Sequence, residues 1–139
     1  MSFPDNLIRG IPNSTYLNSD GSVGSHLFYF NEGTVRNDGW TDLSVNWEDR
    51  DSVVEFTLNQ RKDDKDLQFK GGVTVIPREE VDRLNNRPIV KGLLSYERQP
   101  TPDNPYHGNI LLRVNTPKPT MKLIAGGLAL AISRVVTRR

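Results

Sequence analysis

His107-Gly108-Asn109-Ile110-Leu111-Leu112-Arg113-Val114 is the stretch on which the fold turns. Ile110, Leu112 and Val114 share one face at period two, the repeat of a strand. Upstream, Ile89 to Glu97 has the same extended character. Between the two lies Arg98-Gln99-Pro100-Thr101-Pro102-Asp103-Asn104-Pro105, a loop too polar and too rich in proline to be core. Strands joined this simply form an antiparallel pair. Long helices do not alternate with the strands, which argues against a doubly wound nucleotide-binding fold and for the α+β class.

Working back from this pair, Pro77 heads Arg78-Glu79-Glu80-Val81-Asp82-Arg83-Leu84, with acids in the first turn, predicting a short helix that Asn85-Asn86-Arg87-Pro88 ends. Leu67, Phe69, Gly71, Val73 and Val75 alternate with polar or small residues and predict a strand over 67–75. Its Gly71-Gly72 pair marks a bulge or a close backbone approach. The charged run Arg61 to Asp66 reads as a solvated hairpin loop. Residues 52–60 carry two signals. Ser52 and Glu55 have the spacing of a capping box, whereas Val54, Phe56 and Leu58 alternate as in a strand; the poor helical stripe favours the strand.

Further upstream, Leu43-Ser44-Val45-Asn46-Trp47 alternates and follows an Asn37-Asp38-Gly39 turn. His26-Leu27-Phe28-Tyr29-Phe30 predicts another strand, closed by Asn31-Glu32-Gly33. The first 25 residues, punctuated by Pro4, Gly10, Pro12 and Asp20-Gly21, read as an extended, turn-rich arm in which Leu7, Ile8 and Ile11 form an apolar edge. Residues 26–139 make the α+β core, and 139 residues suit one domain.

Downstream, Pro117 and Pro119 introduce a long helix expected over Thr120 to Val136. Met121, Ile124, Ala125, Leu128, Ile132, Val135 and Val136 form one stripe. Leu123 and Leu130 fall nearly opposite, beside Gly126 and Gly127. A second apolar face lies either against an internal layer such as the N-terminal arm or in a homodimer through Leu123, Gly126, Gly127 and Leu130. The expected architecture is a mainly antiparallel sheet with one short helix and the long C-terminal helix packed on one face.

The absence of cysteine excludes disulfides, cysteine-ligated metals and a thiol nucleophile. The N-terminus lacks the basic start and apolar run of a signal peptide. The longest apolar run, Leu123 to Ile132, is half of the ~20 residues a bilayer span needs. A cytoplasmic protein without a membrane partner is therefore expected. Net charge is +1, yet residues 1–103 hold twelve basic and seventeen acidic side chains, and the six charges after Asp103 are all positive. This asymmetry suits a nucleic acid contacted by Lys118, Lys122, Arg134, Arg138 and Arg139, or simply cations favouring a helix C-terminus.

The densest chemical constellation flanks the Pro-rich loop. His107 has the makings of a general acid or base, Glu97 of its orienter, Arg98 of an anion clamp and Asn109 of a hydrogen-bonding partner. Tyr96 and Tyr106 stand beside them as ligand contacts. The alternative is that these side chains tie down the loop. Trp40 and Trp47, amid Asp38, Asp42, Asn46, Glu48 and Asp49, either form a recognition pocket or cover the end of a small core. Phosphate-cradling loops, metal-ligand spacings and a nucleophile elbow are missing, so no cofactor and no metal is expected. Foremost is a binding or accessory domain acting through protein or small-ligand contacts, as a homodimer. A cofactor-independent hydrolase or transferase using His107 is the alternative, and nucleic-acid binding the third.

Overall fold

The computed structural model describes residues 4–30, 38–48, 52–64 and 66–137. The Asn31 to Gly33 turn, Asn37, Asp49, Lys65, Arg138 and Arg139 lie outside the described residues. Among the described residues six strands form one sheet: β1 (Asn6–Ile11), β2 (Trp40–Glu48), β3 (Gly72–Pro77), β4 (Leu94–Arg98), β5 (His107–Arg113) and β6 (Arg134–Val136). Their spatial order is β4-β5-β2-β1-β3-β6, and every neighbouring pair is antiparallel. Among the described residues three α-helices join them: α1 (Ser52–Leu58), α2 (Arg78–Asn85) and α3 (Lys118–Leu130). This is the α+β architecture expected from the sequence.

Helices α2 and α3 pack on one face of the sheet as expected, and α1 adds a partial cover on the other. Leu7, Ile11, Leu43, Val45, Trp47, Ile76, Ile110 and Leu112 face α2 and α3 and build the main core with Phe28, Ile124 and Leu128. On the opposite face Ile8, Val73 and Val75 pack under Val53 and Val54 of α1. That second cover lies over β1 and β3 and reaches β2 at Asn46, which donates to Thr57 of α1. Over β2, β4 and β5 the same face carries Asp42, Ser44, Asn46, Glu97, His107 and Asn109, as the pairing register dictates.

Four expectations need correction. Residues 6–11 are an interior strand, not part of a flanking arm: β1 pairs with both β2 and β3. Gly10 sits within it because the Phe69 ring lies where a side chain would stand, and Pro12 falls just past its end. Second, the aromatic run after Gly24 is a short 3₁₀ turn, Ser25–Phe28. Its backbone is satisfied locally, Leu27 N–H donating to Gly24 O and Tyr29 N–H to His26 O, which frees Leu27 and Phe28 to fill the core. Third, residues 52–58 are a helix. Val53, Val54 and Thr57 are buried, so the stripe includes a threonine that hydropathy counts as polar. Thr57 Oγ1 donates to Val53 O at 2.7 Å, which lets it turn inward.

The fourth correction concerns the strand and helix limits. The strand expected from residue 67 begins only at Gly72, whose φ is +108° and whose Cα lies against the Val136 carbonyl, where a Cβ would overlap it. The strand expected from Ile89 begins at Leu94, after turns that bury Val90. The C-terminal helix ends at Leu130, and Val135 and Val136 belong to β6. Ser133 N–H donates to Val75 O at 2.9 Å and starts that pairing.

The sheet also divides. β1 follows β3 along its whole length but meets β2 only at Asn6↔Glu48, Leu7↔Trp47 and Ile8↔Asn46. Beyond Asn46, β2 stays with β5 as far as Trp40↔Arg113. Arg9 crosses the opening: Nη1 donates to Ser44 O at 2.9 Å and Nε to Leu27 O at 3.2 Å. Desolvation pushes its guanidinium down to about 10, so it keeps its charge at neutral pH. Lysine lacks the fork that reaches two carbonyls. Arg9→Lys is expected to lower unfolding free energy by about 1 kcal/mol in urea titration with an unchanged denaturant slope. An unaltered midpoint would show that the guanidinium does not hold the opening.

Candidate functional site

Where β1 and β2 part, the second face of the sheet holds a cavity of about 100 Å³. Ile8, Gly10, Ser44 and Asn46 of the two strands line it, with Thr57 and Gln60 from α1 and its end, Gln68 and Phe69 from the loop before β3, and Asn104 and His107 from the β4–β5 connection. A shallower groove bordered by Phe56, Arg61, Asp103 and Tyr106 shares Gln60 and Asn104 with it.

The polar groups form one chain of hydrogen bonds whose direction is fixed at both ends. Tyr106 N–H, which can only donate, meets Asn104 Oδ1 at 3.0 Å. Asn104 therefore presents Nδ2 to Asn46 Oδ1, at 2.8 Å. Asn46 Nδ2 in turn donates to Thr57 Oγ1 and Gln60 Oε1, each at 2.8 Å. Thr57 passes its own proton to Val53 O. Gln60 is thus held with Nε2 left over, and Asn104 keeps a second Nδ2 hydrogen. Asn46 and Asn104 are themselves buried, which a hydrogen-bonded amide tolerates and an unpaired one does not.

The residues singled out from sequence separate into groups. Register places His107 opposite Asn46 and Glu97 opposite Asn109, so His107, Glu97 and Asn109 share the polar face. His107 Nδ1 lies 3.1 Å from Gln99 O and must donate to it, which leaves Nε2 of the neutral ring as an acceptor. The Glu97 carboxylate accepts from Asn109 Nδ2 at 3.1 Å, and Asn109 also reaches Gln99 Oε1 at 2.9 Å. Arg98 and Tyr96 belong to the opposite face by register. Tyr96 Oη donates to Asp82 Oδ1 at 2.8 Å, and Arg78 holds the other oxygen at 3.3 Å, tying β4 to α2. Burial, more than the Asp82 carboxylate, pushes the Tyr96 hydroxyl above its ordinary range. Tyr106 packs edge-on against Phe56 along the groove.

The tryptophans are seven positions apart on β2 and lie on opposite faces, so they do not share a pocket. Trp47 is fully buried and donates from Nε1 to Glu97 O at 3.0 Å. Trp40 lies under the Arg113 guanidinium, 3.9 Å from its ring centre. The basic residues are likewise spread out. Lys118 and Lys122 are on α3, whereas Arg134 lies on the edge strand, 3.8 Å from Glu48. Among the described residues no helix is long and apolar enough to cross a membrane, and no three His, Asp or Glu side chains gather to hold a metal ion.

From the sequence, Gln60, Gln68, Thr57 and Phe69 carry only secondary-structure signals and no sign of a site role, and Asn46 and Asn104 stand out only as neighbours of other residues. One signal was present: Asn104, two residues before Tyr106, has the spacing of an Asx turn. Comparison of the chain with protein-family models, curated proteins and solved structures yields no match.

Asn46→Asp keeps the shape of the side chain but replaces its two donor hydrogens with lone pairs, facing Thr57 and Gln60. A loss of about 1–3 kcal/mol in unfolding free energy is expected by urea titration at neutral pH. Wild-type stability would mean that the chain of amides is not a directed network.

Proposed function

We propose that this protein is a small-molecule-binding domain whose ligand occupies the cavity between β1 and β2. The observation that carries the reading is the directed amide network. It spends buried polar groups on fixing Gln60 and Asn104, and their remaining donors have no partner among the described residues. Gln68 adds a side-chain amide to the same lining, free of protein partners among those residues. Preorganised polar groups converging on a concave site are what ligand recognition requires. The arrangement supports binding over acid–base catalysis, because His107 is oriented by a backbone carbonyl and the Glu97 carboxylate is engaged by Asn109.

The test is a fragment titration followed by amide and side-chain NMR. Fragments that bind should shift resonances of Gln60, Gln68, Asn104 and His107. Gln68→Ala should weaken those shifts at least threefold while leaving the melting temperature unchanged. Binders that cluster elsewhere on the surface would refute the assignment.

A second reading, that the domain is a homodimer through α3, rests on Leu130, which is 90% exposed at the rim of a cleft lined by Leu84, Gly127 and Ala131. Gly127 faces Leu84 of its own chain and Leu123 packs on the main core, so Leu130 and Gly126 are what a second copy would meet. Light scattering at micromolar concentration should report twice the monomer mass of 15.7 kDa, and Leu130→Asp should return it to one. A monomer in both cases removes this reading.

A further inference from the structure

We propose that the cavity recognises a neutral carboxamide or lactam edge, a C=O beside an N–H, and the inference rests on the binding function proposed above. Three features of the lining determine the ligand class. The first is charge. Apart from His107 the lining side chains are neutral, and among the described residues no Lys, Arg, Asp or Glu borders the cavity. An anion entering here would lose hydration and find a counter-charge only in a protonated His107, and a cation would find none.

The second is the sense of the hydrogen bonds. Gln60 Nε2 and the second hydrogen of Asn104 Nδ2 are donors, fixed as such by Tyr106 N–H at one end and Val53 O at the other. With Nδ1–H given to Gln99 O, the neutral imidazole of His107 presents Nε2 as an acceptor. A ligand satisfying both kinds must offer an acceptor to the amides and a donor to the imidazole. A carboxamide or lactam does so with two adjacent atoms in one plane. A carboxylate has no donor, and an ether or ketone has none either. Gln68 is exposed, and its side-chain amide, without a partner among the described residues, can follow either group.

The third is size. About 100 Å³ is roughly three water volumes and less than the ~150 Å³ that encloses benzene. One planar edge fits, and the remainder of the ligand continues into the groove past Gln60 and Asn104. The Phe69 ring, seated on Gly10, supplies a flat wall.

Two sources carry this edge, a free heterocycle and the side-chain amide of a peptide, and the experiment separates them. The probes are uracil, 1,3-dimethyluracil, N-acetylasparagine methylamide and sodium acetate, titrated into the full chain and followed at Gln60, Asn104 and His107 by NMR. Uracil or the asparagine amide is expected to bind, whichever is tighter naming the source. Dimethyluracil, which keeps both carbonyls and lacks N–H, should bind at least tenfold more weakly than uracil, and acetate should not bind. His107→Phe, which keeps a flat ring and removes the acceptor, should cost about tenfold in affinity, or ~1.4 kcal/mol. Equal binding of uracil and its dimethyl derivative, or preferential binding of acetate, overturns the ligand class while leaving the cavity as a binding site. If neither these probes nor a broad fragment set perturbs the three residues, the binding function itself falls and this inference with it.

Discussion

The Arg9 guanidinium spans the place where the sheet comes apart, and the rest of the molecule is arranged around that opening. A six-stranded sheet with continuous ladders would present a flat second face, half under α1 and half in solvent. Here β1 leaves β2 after Ile8, and the Ser44 carbonyl that a neighbouring strand would have satisfied is met by a side chain instead. The same guanidinium holds Leu27 of the 3₁₀ turn, so it links the sheet opening to the layer beneath α3. A charged group in this position is tolerable because each bond is made to a carbonyl dipole, and the desolvation that lowers its proton affinity leaves it ionised.

On the far side of the opening the polar network does a different task. Its members come from β2, from α1 with the residues that follow it, and from the β4–β5 connection, three pieces of chain of which the last lies 58 residues beyond Asn46. Each amide is buried only because the next one accepts or donates to it, so the cluster fixes how α1 sits on the sheet and how the Pro-rich loop returns to β5. A hydrophobic cluster of the same size would hold those elements together but would allow them to slide. Hydrogen bonds of fixed sense permit one register.

How much of this is legible in the sequence follows the physics of each element. β5, its antiparallel partner β4 and helix α2 are readable because period-two alternation and an acidic, Pro-headed turn are local signals. β1 is not, since Gly10 and Pro12 imitate a turn and the reason for Gly10, the ring of Phe69, is nearly sixty residues away in the chain. Helix α1 is hidden by Thr57, whose hydroxyl is satisfied by its own helix and by Asn46, so a polar residue occupies an apolar position. The Ser25–Phe28 turn shows tertiary packing overriding β-propensity. For the site, His107, Glu97 and Asn109 could be placed together from the strand pairing alone. The amides could not, because only the folded sheet makes neighbours of Asn46, Gln60 and Asn104.

The interior position of β1 also bears on how the chain reaches this structure. Leu7 is paired with Trp47 on one side and Ile76 on the other, separations of about 40 and 70 residues that put the central ladder among slow, non-local contacts. A ribosome delivers β1 well before either neighbour. During that interval Leu7, Ile8 and Ile11, all buried in the finished fold, are exposed on a strand with two open edges. Such a segment attracts chaperones and other nascent chains alike. Gly10 and the charge of Arg9 interrupt its apolar run and lower its tendency to pair prematurely. The two residues that shape the opening in the native sheet thus also serve the chain before there is a sheet to open.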